Sequence, residues 1–205
     1  MKFRVLGSVF LITAFTVIGT GTGESEEGQS ASNASDSKEK SAAKKKADVP
    51  VPADQAAFGE AVTQFYKPYR DAPNELKKSV LRTKRKGEIQ SVLGTSAEFT
   101  DWVATIADLS TNSDGNGILS VKLEGSGVQL KTWNNALSDI LDNTLIAQSS
   151  PLFNAIAEME EGARVKVSGA WISSDEDHIK ESSMSEYGSM TDPEFIVRFS
   201  SVTKY

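Results

Sequence analysis

Few residues in this chain of 205 can do covalent chemistry, because it has no cysteine and one histidine. Missing cysteines exclude disulfides, thiol nucleophiles and cysteine-ligated metals, and one histidine excludes a multi-histidine metal site. That residue, His178, lies near Ser182, Ser183, Asp175 and Asp177. These are the residue types of a hydrolytic triad, but no nucleophile-elbow motif accompanies them. We therefore predict no catalytic residues and no enzyme activity, and keep a Ser/His hydrolase as an alternative.

The run Asn112-x-Asp114-x-Asn116-Gly117 is a second candidate for chemistry, because it has the beginning of a calcium-binding loop. Such a loop places oxygen ligands at positions 1, 3 and 5 and a bidentate glutamate at position 12. Position 12 here is Leu123, so the strongest ligand is missing. We predict a hairpin turn, no metal ligands and no cofactor; a metal-dependent hydrolase is the alternative.

The amino terminus has the features of an export signal. Lys2 and Arg4 precede a 14-residue apolar stretch, 5–18, and small residues follow it. This stretch has the length of a signal-peptide core and is short for a bilayer span. We predict a signal peptide over 1–23 and a periplasmic or secreted protein; the alternative is an uncleaved anchor in the inner membrane over 5–23. Residues 24–53 lack leucine, isoleucine, methionine and aromatics, which predicts a disordered linker.

Residues 54–97 have apolar side chains at helical spacing and are predicted to form a helical pair. Asp54 is the predicted N-cap of the first helix, and Pro68 is expected to end it near Lys67. Leu76 and Val80 begin the apolar stripe of the second helix. The segment has 8 basic and 5 acidic residues, a net charge of +3. Its basic cluster is interpreted as a solvated helix face, with contact to an anion or a partner as the alternative.

Residues 98–205 alternate polar and apolar residues in five segments, which predicts five strands. A helix is predicted over 150–161, between the third strand and the fourth. The order β-β-β-α-β-β predicts an α+β fold: an OB-fold-like five-stranded β-barrel, preceded by the N-terminal helical pair. The predicted strands are 102–109, 118–124, 128–133, 164–172 and 195–202.

The segment Gly162-Ala163-Arg164-Val165-Lys166-Val167-Ser168-Gly169 leads from this helix into the fourth strand. It resembles the corresponding entry in exported bacterial OB-fold proteins of the tRNA-anticodon-binding-like group, and the resemblance covers 98–205. The matching residues are fold-making glycines and valines. The resemblance therefore implies a fold and its ancestry, and leaves RNA binding open.

Ligands of such barrels meet strands two and three and the flanking loops, here 109–117 and 173–193. The strands contribute Lys122, Lys131 and Trp133. The 21-residue loop 173–193 is long for a compact domain, and a loop of that length is usually functional or disordered. Six residues are therefore predicted to bind a ligand or partner: Lys122, Lys131, Trp133, His178, Lys180 and Tyr187.

The charge of the barrel segment indicates its partner. Residues 98–205 contain 7 basic and 17 acidic residues, a net charge of −10. Phosphate binding draws on several cationic contacts, so nucleic acid is disfavoured. We predict a non-enzymatic interaction module that binds an envelope protein or small ligand of cationic character. Oligonucleotide or cationic-peptide binding is the alternative, and membrane contact is expected only through an uncleaved amino terminus.

Overall fold

Residues 50–205 are described by the computed structural model, so the predicted signal peptide and nearly all of the predicted linker lie outside the described residues. The described residues belong to one compact unit. Among them, no helix combines the length and apolar character needed to cross a membrane.

The centre of the fold is a closed barrel of five strands in the order β1-β2-β3-β7-β4. Neighbouring strands are antiparallel except β3 and β7, which run parallel. The prediction of an α+β fold built on a five-stranded barrel is confirmed at this level. The strands are β1 Glu98–Thr111, β2 Gly117–Leu123, β3 Gln129–Lys131, β4 Arg164–Trp171, β5 Ser173–Ser174, β6 His178–Ile179 and β7 Glu194–Lys204.

All five barrel strands differ from their predicted bounds, and the differences at the start of β1 and the end of β3 have local causes. Strand β1 begins four residues before the predicted start, because its register with β4 shifts between Phe99 and Trp102. Asp101 lies in this irregularity with φ 55°, which interrupts the alternation that marks a strand. Strand β3 ends at Lys131, so Trp133 lies just beyond it.

Within residues 50–205, six helices accompany the barrel: α1 Ala53–Thr63, α2 Tyr66–Arg70, α3 Glu75–Leu93, α4 Ala136–Asp139, α5 Pro151–Ala157 and α6 Glu186–Thr191. Helices α4 and α5 lie between β3 and β4, and α5 has Ser150 as its N-cap and Pro151 at its first position. It ends four residues before the predicted end. Glu158, Glu160 and Glu161 follow it, and carboxylates are unfavourable at the negative end of a helix dipole.

The first helical stretch differs from the prediction in two ways. Pro68 lies inside α2 instead of ending a helix. It occupies the third position, where the backbone N–H has no partner within the helix, so proline costs little there. Asp54 is not the N-cap, because Pro52 occupies that position. The Asp54 carboxylate instead accepts a 2.8 Å hydrogen bond from Trp102 Nε1.

Helix α1 packs against the aromatic core of the barrel. The Phe58 ring lies 5.3, 5.0 and 5.4 Å, centroid to centroid, from Trp102, Trp171 and Phe195. Buried Gln55 donates from Nε2 to Val103 O and accepts from Val103 N, both at 2.7 Å. These contacts make α1 part of the barrel's core and of its backbone hydrogen bonding.

The predicted apolar stripe of α3 is wrong at its beginning, since Leu76 and Val80 are exposed. The buried residues of α3 are Leu81, Arg85 and Ile89. This face includes an arginine because it packs partly on the acidic 173–193 loop, where a cation is required.

Gly169 in β4 provides a test of barrel packing. A Cβ added there would lie 2.5 Å from Arg198 O and 2.9 Å from Phe99 Cζ. We expect Gly169→Ala to lower the free energy of unfolding by about 1–3 kcal/mol, measured by urea denaturation. Gly87→Ala is the matched control: it lies inside α3, and among residues 50–205 no atom lies within 4 Å of the added Cβ. We expect the control to raise stability by about 0.5–1 kcal/mol, and equal losses in both variants would contradict the packing described here.

Candidate binding groove

A groove of about 440 Å³ opens beside the parallel pair β3 and β7. One wall is the chain leaving β3, residues 131–135 together with Ser138 of α4. The other wall is formed by Ser182, Met184 and Glu194. Met184 is fully exposed, so the 173–193 loop offers an apolar side chain to any ligand that enters. We call this cavity the binding groove.

Glu194 organises the polar part of the binding groove. Its Oε2 accepts from Lys131 Nζ at 3.0 Å and from Ser182 Oγ at 2.7 Å, and its Oε1 accepts from Gln129 Nε2 at 3.2 Å. Glu194 begins β7 beside β3, which brings it next to Gln129 and Lys131. The three donors connect the barrel face to the 173–193 loop.

These contacts determine the acid–base behaviour of Glu194. Burial alone would raise its pKa, but the hydrogen bonds from Ser182 and Lys131 and the positive charge of Lys131 outweigh burial and lower the pKa. A carboxylate that is held ionised is a weak proton acceptor. Glu194 is therefore suited to fixing the geometry of the groove rather than to activating Ser182 as a nucleophile.

Trp133 and Lys180, two predicted site residues, are brought together by Asp142. The Asp142 carboxylate is buried and accepts from Trp133 Nε1 at 2.7 Å and from Lys180 Nζ at 2.7 and 2.8 Å. Trp133 lies on one side of this carboxylate and the 173–193 loop on the other. The contact fixes the Trp133 ring, which is half-buried in the groove wall.

The 173–193 loop is ordered into the hairpin β5–β6 and the helix α6. Arg82 of α3 binds it through a bidentate pair with Asp177, at 3.0 and 2.7 Å, and lies 3.4 Å from Glu176 and 3.6 Å from Glu186. Lys86 donates to the backbone carbonyl of Asp175. The basic cluster of α3 thus has an intramolecular acidic partner, which corrects the interpretation of a purely solvated face.

A buried ion pair lies beneath these surface contacts. The Arg85 side chain is fully buried and donates to Glu181 Oε1 and to the backbone carbonyl of Ser189. Burial raises the pKa of Glu181 to about 7, although the Arg85 charge opposes this rise. Glu181 directly precedes Ser182 of the groove wall, so the ion pair anchors that wall to α3.

The structure places the remaining predicted site residues outside the binding groove. Lys122 is exposed on β2 and lines a separate shallow pocket near the β2–β3 turn. His178 is half-buried in the β5–β6 hairpin with φ 72°, in the left-handed region. Tyr187 is exposed on α6, with its ring 6.3 Å from that of Tyr69. Of the six predicted residues, Lys131 and Trp133 line the groove and Lys180 supports it.

The sequence-based prediction missed Glu194, Asp142 and Met184. Glu194 could have been found once β7 was paired in parallel with β3, since it then lies opposite Gln129 and within reach of Lys131. Asp142 and Met184 lie in irregular segments, and no periodic signal marks them.

The predicted hairpin turn forms at the calcium-like motif. Asn112 Oδ1 accepts from the backbone N–H groups of Asp114 and Asn116, at 3.1 and 2.9 Å, so the turn itself uses this oxygen. Within the part of the chain that the structure describes, no group of three or more His, Asp or Glu side chains could hold a metal ion.

Comparison with known proteins adds no relative. No protein-family model, curated protein or solved structure matches this chain.

Proposed function

We propose that this protein is an exported, non-enzymatic binding module of the cell envelope, built on an OB-fold, whose ligand binds in the binding groove. One observation carries the proposal: the groove lies beside β3 and the loop between the last two barrel strands, which is the surface where OB-folds bind ligands. It is lined by the Trp133 ring, the exposed Met184 and seven polar residues, of which Lys131, Ser182 and Glu194 are held by hydrogen bonds. The groove therefore offers a ligand an aromatic face, a methionine and polar groups of fixed position, which orient ligands in pockets.

The closed barrel of five strands, with α5 between β3 and β4, supports the OB-fold assignment. Export rests on residues 1–18 alone. Mass spectrometry of the protein recovered from the envelope fraction tests it, and recovery of the intact chain only in the cytoplasm would refute it.

A binding role is favoured over catalysis by the chemistry of the groove. Ser182 donates to Glu194, whose pKa is lowered, so the strongest candidate base next to this hydroxyl is a poor one. His178 lies in the β5–β6 hairpin, and among residues 50–205 the hydroxyl of Ser182 is hydrogen-bonded to Glu194 rather than to His178. The proposal therefore assigns Ser182, Lys131 and Glu194 to the shape of the groove.

The Trp133 side chain provides the direct test of the groove. We expect Trp133→Ala to weaken retention of an envelope partner at least about tenfold in a pull-down from the envelope fraction, because truncation of a central aromatic anchor typically costs 1–2 kcal/mol or more. Trp133→Phe retains a ring in the wall and should keep most of the binding. Tyr187→Ala removes an exposed aromatic side chain of the 173–193 loop that lies outside the groove, and it should leave retention of the partner unchanged. Unchanged retention by Trp133→Ala would place the ligand elsewhere.

A further inference from the structure

A second pocket adjoins the binding groove and shares a residue with it. This acidic pocket, of about 250 Å³, has four carboxylates, Glu176, Asp177, Glu181 and Glu186, and two cations, Arg82 and Lys180. Met184, fully exposed, lines both cavities and therefore forms the ridge between them.

The carboxylates of the acidic pocket exceed the cations available to them. Arg82 already forms a bidentate pair with Asp177 and also forms ion pairs with Glu176 and Glu186. Lys180 is bound to Asp142. Glu181 is paired with the buried Arg85 through Oε1, and within the described residues its buried Oε2 has no hydrogen-bond partner. Glu176 and Glu186 are exposed and share the single cation Arg82 with Asp177, so the excess negative charge of the pocket lies on these two carboxylates, beside the exposed Met184.

Three exposed apolar side chains lie close in sequence to Ser138, which lines the binding groove. Leu137, Ile140 and Leu141 are exposed on and just after α4, the helix whose Ser138 lines the groove. The spacing i, i+3, i+4 places the three side chains on one face of the turn. A surface that combines these exposed apolar side chains, the exposed Met184 and an adjoining acidic pocket is complementary to a chain that alternates apolar and basic side chains.

We infer that the occupant of the binding groove is a basic, apolar peptide segment of a partner protein, which places an apolar side chain between Trp133 and Met184 and a lysine or arginine in the acidic pocket. The inference rests on the proposed function and adds the chemistry of the ligand. The net charge of −10 on residues 98–205 agrees with it and opposes nucleic acid as the occupant.

Fluorescence anisotropy with the full-length chain tests the inference. The probe is a short labelled peptide of alternating leucine and lysine; leucine–glutamate and serine–lysine peptides and labelled oligo-dT are the comparisons. We expect the leucine–lysine peptide to bind and the others to bind at least about tenfold more weakly. Tight binding of the leucine–glutamate peptide or of oligo-dT would overturn the inference.

Matched variants separate specific from general attraction. Glu176→Gln/Glu186→Gln should weaken binding about five- to tenfold, whereas Glu158→Gln/Glu160→Gln, also exposed, should not. Leu137→Ser/Leu141→Ser should weaken binding, whereas Leu76→Ser/Val80→Ser, an exposed apolar pair on α3, should leave it unchanged. Equal losses in a variant and its control would indicate nonspecific attraction and overturn the inference.

The same experiment distinguishes the inference from the proposed function. If Trp133→Ala abolishes binding but Glu176→Gln/Glu186→Gln does not, the groove is the site and the basic side chain in the acidic pocket is refuted. If the glutamine variant loses binding and Trp133→Ala does not, the acidic pocket binds alone, which refutes both the groove and the two-part occupant. Circular dichroism of every variant confirms that it is folded.

Discussion

Phe58→Ala should lower the free energy of unfolding by about 3–5 kcal/mol, the usual cost of removing a buried aromatic ring. Phe58 is fully buried, and its ring contacts Trp102, Trp171 and Phe195 of three different barrel strands. Because Phe58 belongs to α1, this loss would show that the helices before the barrel unfold together with it. Urea denaturation followed by tryptophan fluorescence and by far-ultraviolet circular dichroism measures the effect.

Two further variants control for this result. Phe58→Leu keeps most of the volume and should cost clearly less than the alanine variant. Tyr187→Ala removes an exposed ring and should change stability by less than about 0.5 kcal/mol. A loss below about 1 kcal/mol for Phe58→Ala would mean that α1 is not part of the barrel's cooperative unit. A urea midpoint that falls when followed by circular dichroism but not when followed by tryptophan fluorescence would mean the same.

The barrel could be predicted because its strands alternate. Leu119, Val121 and Leu123 of β2 are apolar at every second position, and all three are buried in the core. Ile118 and Ser120 of the other face are buried as well. The prediction failed where local geometry interrupts this period, at the Asp101 irregularity of β1 and at the early end of β3. Periodicity reports which face is buried, but it carries no information about which strand is the neighbour.

The candidate site was predicted less well than the fold, and the reason is physical. Lys131 and Trp133 were found because they lie on or next to a predicted strand. Glu194 and Asp142 act on those residues across 63 and 9 positions of sequence, through pairings that only the folded chain creates. The basic cluster of α3 was visible in the sequence, but its partner was not, because Arg82 meets Asp177 across 95 positions.

The ion pair between Arg85 and Glu181 supports the second large prediction. Arg85→Met should lower the free energy of unfolding by about 3–5 kcal/mol, because removing one member of a buried pair leaves the other charge without compensation. Adding Glu181→Gln should recover much of this loss, since it removes the remaining buried charge. A double-mutant cycle by urea denaturation at pH 8 measures the coupling. Independent, additive losses would mean that the two side chains do not interact.

The pH dependence of stability gives this pair a distinct signature. Burial raises the pKa of Glu181 from 4.5 to about 7 in the folded protein, against the lowering effect of Arg85. A carboxyl whose pKa is raised in the folded state binds its proton more tightly there. Its contribution to the free energy of unfolding is therefore complete below pH 4.5 and is lost as pH rises through 7. This 2.5-unit rise corresponds to about 3 kcal/mol of stability between pH 4.5 and pH 8.

We expect Glu181→Gln to abolish this loss of stability with rising pH. We expect Arg85→Met to move the loss to higher pH, because the charge that opposes the rise of the Glu181 pKa is gone. A profile that is unchanged by both substitutions would show that Glu181 is ionised throughout this range.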